Sequence, residues 1–208
     1  ELDFDWRFTT ENRALDPAGP PCTPSTPPST HCPLISYTHV KLFRDLDQLS
    51  ERFRRGALSI GIFDGVHRGH ARIIERLLAT ARRVNGPAVV FTFDPHPARI
   101  LRPDQPPAPL GWTELNAQLL GELGADAVVA YPTNQAFLRR EARHFCDQIV
   151  RGRLAARAMV EGSNFVFGHD RSGPVDVLRR FCEGAGVLLE VVEPVKIDGT
   201  TVSSSLIR

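Results

Sequence analysis

Two histidines separated by two residues stand in a glycine-containing segment, GIFDGVHRGH, which spans Gly61 to His70. An apolar run ends at Phe63, and a helical pattern begins at Ala71. The start of a helix offers unpaired N–H groups and a partial positive charge, which favour a bound phosphate. Because His67 and His70 are three residues apart, both imidazoles face one anion on a first helical turn. The spacing predicts a site for phosphoryl or nucleotidyl transfer, whose developing charge such donors stabilise.

The glycines around these histidines favour a ligand site over two incidental surface residues. Gly65 and Gly69 permit a tight turn and a close approach of the backbone to a ligand. An isolated H-x-x-H is weak evidence, but here a strand precedes it and a helix follows it. H-x-G-H at the end of a first strand resembles the signature of the nucleotidyltransferase superfamily, which includes adenylyl- and cytidylyltransferases and class I aminoacyl-tRNA synthetases.

Three further segments combine polar residues with loop or helix-start patterns: FTFDPHP (Phe91–Pro97), EGSNFVFGHDRSG (Glu161–Gly173) and VSSSLIR (Val202–Arg208). The prolines of the first end a strand and leave Asp94 and His96 beyond it. The second is a loop whose phenylalanines either cap the core or line a pocket for a flat substrate. In the third, serines cap a helix, and their hydroxyls could converge with the final arginine on phosphate. Each segment alone leaves a purely structural role open.

Alternating strand and helix patterns must position these segments. Five apolar runs predict buried strands, at Ala57–Phe63, Ala88–Phe93, Ala127–Tyr131, Ala158–Gly162 and Leu188–Val195. Helical patterns lie between them, at Ala71–Val84, Thr113–Leu123, Ala142–Leu154 and Val175–Ala185. We therefore expect an α/β fold with a mainly parallel five-stranded sheet and helices on both faces. In such sheets ligands bind beyond the carboxyl ends of the strands, where the strand order reverses.

Composition restricts the class of protein. The formal charge of +1 offers no bulk attraction to nucleic acid or to a membrane surface. No apolar run approaches the roughly 20 residues of a membrane span. The four cysteines form no C-x-x-C pair, so we expect free thiols in the cytoplasm. Residues 1–38 are rich in Pro, Ser and Thr, which predicts a disordered tail before a helical pattern around Leu42, Phe43, Leu46 and Leu49.

The four motifs in this order resemble the FAD synthetase module of prokaryotic bifunctional riboflavin kinase/FAD synthetases. The resemblance covers Val40 to Arg208, so residues 39–208 form the expected FAD synthetase domain, of the Rossmann-like nucleotidyltransferase fold. It implies the reaction of ATP with FMN to give FAD and pyrophosphate. The FMN phosphate would attack the α-phosphate of ATP in line, with Mg²⁺ and without a covalent enzyme intermediate. The family's riboflavin kinase module normally follows the last motif, and we expect it to be absent here and a riboflavin kinase to supply FMN.

The resemblance also implies roles for individual residues. His67 and His70 would stabilise charge on the transferring and leaving phosphates. A second group would bind phosphate, comprising Ser204, Ser205 and Arg208. A third would shape the ATP loop, comprising Gly61, Phe63, Asp64 and Gly65. A fourth would lie towards the flavin, comprising Asp94, Pro95, His96, Asn164 and Phe165. No metal ligand is assigned, because ATP phosphates are the expected partners of Mg²⁺.

Two other functions remain open at this point. The chain could be another small-molecule nucleotidyltransferase, acting for example on pantetheine phosphate or nicotinamide mononucleotide. It could also be an inactive nucleotide- or flavin-binding fragment, truncated before the kinase domain. A metal site of His67, His70 and His96 is disfavoured, because the glycines and the phosphate-type helix start do not suit it.

Overall fold

The described residues, 40–169 and 172–208 of this computed structural model, form a parallel sheet with helices on both faces. The strands are β1 (Lys41–Phe43), β2 (Ala57–Ile60), β3 (Ala88–Asp94), β4 (Ala127–Pro132), β5 (Ala158–Gly162), β6 (Val166–Phe167), β7 (Gly173–Pro174), β8 (Leu188–Val192), β9 (Lys196–Ile197) and β10 (Thr200–Thr201). The main sheet has the order β1-β4-β3-β2-β5-β8, and every neighbouring pair in it is parallel. The pairs β6–β7 and β9–β10 are antiparallel.

The helices alternate with the strands of the main sheet. They are α1 (Arg68–Arg83), α2 (Pro97–Leu101), α3 (Thr113–Glu122), α4 (Gln135–Leu138), α5 (Ala142–Phe145), α6 (Val175–Ala185) and α7 (Ser204–Ile207). A π-helical stretch, Cys146–Arg153, continues directly from α5. Two 3₁₀ turns, Leu46–Gln48 and Glu51–Phe53, connect β1 to β2.

Each central strand is apolar on both faces because helices cover the sheet on both sides. Successive residues of a strand point to opposite faces, and β3 follows this alternation. Val89 and Phe91 enter a core cluster with the π-helical stretch and α6, whereas Val90 enters a second cluster with α1 and α3. The continuous apolar runs of the sequence thus reflect two cores that share one sheet.

The strand order reverses between β2 and β5, which opens a crevice at their carboxyl ends. The chain runs from β2 to β3 and β4 on one side of the sheet, and then crosses to β5 and β8 on the other. The two strands pair only at Ala57 with Ala158 and Leu58 with Met159, so they separate beyond that point. Ligands of open α/β sheets bind at such a reversal.

The parallel α/β class was predicted, but the strand count was one too low. Five strands lie at the predicted places, and β2 and β8 end earlier than predicted, at Ile60 and Val192. The sixth is β1, where the sequence predicted the start of a helix. Lys41–Phe43 instead pairs with Ala127–Val129 at the edge of the sheet. After it, Leu46 begins a 3₁₀ turn and Leu49 directly follows that turn, and both leucines pack into the core.

The segment Ala142–Leu154, predicted as one helix, is helical, but only its first turn is α-helical. After Phe145 the backbone widens into the π-helical stretch, whose Ile149 and Val150 remain buried. The helix Val175–Ala185 has the predicted bounds, and Gly186 ends it in the left-handed conformation, as helix C-termini favour. The predicted tail, residues 1–38, lies outside the described residues.

The packing of α1 against the sheet should contribute strongly to the free energy of unfolding. Ile74 is fully buried between α1 and the sheet, so Ile74→Ala should lower the free energy of unfolding by about 2–5 kcal/mol. Ile197, in β9, is 43% exposed, and Ile197→Ala is the matched control with a much smaller loss. Urea unfolding of both variants measures this difference, and equal losses would contradict the packing described.

Candidate active site

The turn between β2 and α1 brings the two motif histidines together. His67 is the N-cap of α1, and its Nδ1 accepts a hydrogen bond from the backbone N–H of His70 at 3.3 Å. The two imidazole rings stack, with centroids 3.7 Å apart and planes within 15° of parallel. The predicted pair therefore exists, at the N-terminus of a sixteen-residue helix where N–H groups accumulate positive potential.

The surroundings disfavour the charged form of both histidines. Burial lowers the pKa of His67. Burial and the neighbouring His67 lower the pKa of His70 to about 3, against a weaker opposing effect of Asp64 and the Ile62 carbonyl. The His70 Nδ1 is buried and has no hydrogen-bond partner among the described residues. An anion near these rings would raise both pKa values, because it stabilises the charged imidazolium.

Asp64 connects the turn to two distant segments. Its Oδ1 accepts hydrogen bonds from the N–H groups of Leu110 and Gly111, at 3.0 and 3.1 Å. Its Oδ2 forms an ion pair with the guanidinium of Arg208. Both partners are largely buried, with exposed side-chain fractions of 8% for Asp64 and 18% for Arg208. The sequence predicted Arg208 as a phosphate ligand, and the structure places it against this carboxylate.

The last motif folds back onto the same turn. Ser203 caps α7 by accepting from the Leu206 N–H, and the Ser204 hydroxyl donates to the Asp64 carbonyl at 2.9 Å. Ser205 is exposed. A methyl group added at Gly69 would lie 3.6 Å from the Val202 carbonyl oxygen, so this segment also borders the first turn of α1.

Gly65 allows the tight turn that the motif requires. Its φ of +78° lies in the left-handed region, and a Cβ there would meet the Leu110 side chain at 2.8 Å. Its N–H donates to the Asn116 side-chain oxygen at 3.1 Å. Asn116, in α3, thereby fixes the turn, a role that its position within a helix gave no reason to predict.

A large cavity of about 900 Å³ occupies the crevice between β2 and β5. Six phenylalanines line it, namely Phe63, Phe93, Phe137, Phe145, Phe165 and Phe167. Gly61, His70 and Asn164 supply part of its polar lining. The rings of Phe165 and Phe167 are stacked, with centroids 5.3 Å apart. Its size and aromatic lining suit a flat heteroaromatic ligand.

A small cavity of about 500 Å³ adjoins the large one across Ile62 and Phe63, which line both. It contains Asp64 and the residues Asp94, Pro95 and His96 of the second motif. Asp94 forms an ion pair with Arg44 at 2.8 Å and accepts from the Thr113 hydroxyl at 3.0 Å. The His96 Nδ1 caps α2 by accepting from the Ala98 N–H at 3.0 Å.

The residues predicted to face the flavin are therefore divided between the two cavities. Asn164 and Phe165 line the large cavity, whereas Asp94, Pro95 and His96 line the small one. Burial and the nearby charge of Arg208 lower the pKa of His96, which places that ring near the Asp64–Arg208 pair.

Several polar residues of the site were not among the predicted site residues. Besides Asn116, these are Arg44 beside Asp94, and Glu161 within the large cavity. Glu161 had a recognisable signal, since a carboxylate inside an otherwise apolar strand is costly to bury. Arg44 directly follows β1, which the sequence predicted as part of a helix, so its contact with Asp94 could not be predicted.

The described residues contain neither a cluster of metal-binding side chains nor a membrane-spanning helix. Residues 40–169 and 172–208 contain no group of three or more His, Cys, Asp or Glu side chains that could hold a metal ion. In the same ranges, no helix has the length and apolar character needed to cross a bilayer. Cys146 and Cys182 are buried free thiols.

Comparison with solved structures supports the fold. A structure titled as a macrolide-efflux protein from Streptococcus pneumoniae superimposes with a TM-score of 0.71 at 20% identity, over 81% of this chain and 54% of that chain. At that identity the likeness concerns the fold alone. The mainly parallel sheet and its crevice have the Rossmann-like nucleotidyltransferase architecture.

Comparison with curated proteins and family models identifies the family. The bifunctional riboflavin kinase/FMN adenylyltransferase of Pseudomonas fluorescens is 35% identical over 169 residues, which cover 81% of this chain and 54% of the relative. Its namesake from Escherichia coli strain K12 is 29% identical over 170 residues, with the same coverage. The chain thus spans about half the length of these relatives. Because the family model described as FAD synthetase matches residues 49–206, the chain belongs to the FAD synthetase family.

Proposed function

We propose that this chain is an FMN adenylyltransferase, which joins ATP and FMN to give FAD and pyrophosphate. One observation carries the proposal: a histidine-capped helix start borders a cavity of about 900 Å³ lined by aromatic rings. The helix start suits phosphates, and the cavity suits the flat ring of a flavin. Family membership and the name of the 35% identical relative support the same reaction.

In the proposed reaction the protein positions two anions and stabilises charge. The FMN phosphate is already anionic at neutral pH, so it needs no strong base before it attacks the α-phosphate of ATP in line. His67 and His70 donate to the transferring and leaving phosphates at the N-terminus of α1. Ser204, Ser205 and Arg208 contribute from the last motif, which touches the same turn through Asp64.

We assign the flavin ring to the large cavity, with Asn164 and Phe165 beside it. The turn residues Gly61, Phe63, Asp64 and Gly65 would shape the ATP side. A flavin contact for Asp94, Pro95 and His96 stays a prediction, and their place in the adjoining small cavity favours the phosphate end of FMN over its ring.

Mg²⁺ is the metal that we expect, bound by ATP phosphates. The described residues offer no protein cage for a cation, and Mg²⁺ normally retains waters and uses substrate phosphates in such sites. When bound, the ion would neutralise charge on those phosphates. A riboflavin kinase, in the same protein or a separate one, is the proposed source of FMN. Cytoplasmic localisation and the absence of a nucleic-acid or membrane partner stay predictions.

FAD formation tests the proposal directly. Incubation of the chain with ATP, Mg²⁺ and FMN, followed by chromatography, should yield FAD and pyrophosphate in equal amounts. Parallel incubations with CTP, and with pantetheine phosphate or nicotinamide mononucleotide as acceptors, test the other nucleotidyltransferases. Binding of ATP and FMN without pyrophosphate release would instead indicate a binding fragment and would contradict the proposal.

His67→Asn tests whether the imidazole acts on phosphate or only caps the helix. Asparagine keeps a side-chain acceptor at the N-cap, so the melting temperature should change little. Loss of an imidazole N–H donor to a developing phosphate charge should lower kcat about a hundredfold. His144→Asn changes an exposed histidine outside both cavities and serves as the control. Wild-type kcat in His67→Asn would refute the assigned role.

The low pKa of His70 predicts a pH-dependent stability. The unfolded chain binds a proton at His70 near pH 6.5, whereas the ligand-free folded chain binds it only near pH 3. Stability therefore decreases as the pH falls below 6.5, with about 1–2 kcal/mol lost by pH 5 through this residue. His70→Gln cannot titrate and should lose correspondingly less in urea unfolding. Identical pH dependence in both proteins would show that His70 is not held neutral.

A further inference from the structure

Glu161 lies where β2 and β5 separate, on the lining of the large cavity. It is 1% exposed, and its Oε1 accepts a hydrogen bond from the Ile60 N–H at 2.7 Å. This bond satisfies a backbone donor at the point where the ladder between the two strands has ended. Among the described residues, Oε2 has no hydrogen-bond partner. Oε1 thus stabilises the fold, and Oε2 is available to hydrogen-bond a ligand.

The surroundings keep this carboxyl group uncharged. No cation of the described residues pairs with it, and burial raises its pKa well above the usual value, only partly opposed by the Ile60 N–H. A buried carboxylate without a cation is far more costly than a neutral carboxylic acid. The neutral form carries one O–H donor besides its acceptor oxygen. Glu161 therefore offers a hydrogen-bond donor inside a cavity whose walls are mainly aromatic and aliphatic.

A second polar group at the same cavity also lacks a partner. Ser59 lines the cavity from β2, is 1% exposed, and its buried hydroxyl makes no hydrogen bond to any described residue. Alternation along the strands places Ser59 on the α1 side of the sheet and Glu161 on the opposite side. Buried polar groups normally have partners, and unpaired ones at a cavity indicate a ligand or a water that completes them.

We propose that Glu161 is a specificity-determining residue that hydrogen-bonds the polar edge of the flavin ring held in the large cavity. This role rests on the proposed function, because FMN is the substrate with such a ring. The isoalloxazine edge carries carbonyl oxygens and ring nitrogens that accept from an O–H donor. One such bond, made at a group buried between β2 and β5, distinguishes this ring from a flat apolar molecule of equal size.

A purely structural role for Glu161 makes a different prediction. If the side chain served only the Ile60 N–H, its loss would lower stability and would weaken all ligands equally or none of them. If it also binds the flavin ring, its loss weakens flavins selectively. Glu161→Gln retains one acceptor and one donor of similar shape, whereas Glu161→Leu retains neither.

Binding titrations on the whole chain separate these roles. FMN and riboflavin are titrated by quenching of flavin fluorescence, and ATP with Mg²⁺ by calorimetry. Glu161→Leu should weaken FMN and riboflavin by the same factor, about tenfold, with ATP changed less than about twofold. Glu161→Gln should stay within about threefold of wild type for all three. Val160→Ala, a fully buried change on the same strand and outside the cavity, controls for loss of stability.

Several outcomes would overturn the assignment. Unchanged flavin affinity in Glu161→Leu, or equal losses for flavin and ATP, would leave Glu161 a structural residue. Selective loss of ATP would place the nucleotide base in this cavity instead. If Glu161→Leu does not fold, Glu161→Gln decides with 5-deaza and 3-methyl analogues of FMN, since unaltered discrimination among them would contradict contact with the ring edge. FAD formation by the wild type, measured in parallel, shows whether the proposed function itself holds.

Discussion

The ion pair between Asp64 and Arg208 is the interaction on which the site depends. Asp64 follows β2, accepts from the backbone of Leu110 and Gly111, and joins the last motif to the first. Both charges are largely buried, so removal of one would leave the other without compensation, a cost of several kcal/mol. Asp64 therefore fixes three segments relative to one another: the turn between β2 and α1, the loop before α3, and α7. The two histidines lie on the first of these segments.

The sheet determines where a substrate can lie relative to these groups. β2 and β5 share only two paired residues before they separate, and the large cavity fills the opening between them. Ile62 and Phe63 then divide the large cavity from the small one, with His70 beside the division. The arrangement gives an aromatic-lined volume on one side, and on the other a smaller volume that contains Asp64, Asp94 and His96.

The sequence predicted what depends on local pattern and missed what depends on tertiary contacts. The strand–glycine–histidine–helix pattern placed His67 and His70 correctly, because a helix start after a buried strand is a local feature. β1 was mistaken for a helix because three residues are too short for a period-two pattern, and its pairing with β4 decides its conformation. The phosphate role of Arg208 stays a prediction, whereas its ion pair with Asp64 joins residues far apart in the sequence and has no local pattern that would reveal it. The division of the flavin residues between two cavities likewise arises from the fold.

The long sequence separation of Asp64 and Arg208, 144 residues, has a consequence for dynamics. Their contact closes a long chain loop, and Arg208 directly follows the short helix α7, in which Leu206 and Ile207 are exposed. Such a segment has few buried apolar contacts and opens at a lower free energy than the core strands. Local opening would release the carboxylate of Asp64 and the loop at Leu110 at the same time. The position of α7, the Asp64–Arg208 contact and the loop at Leu110 are therefore coupled to one another.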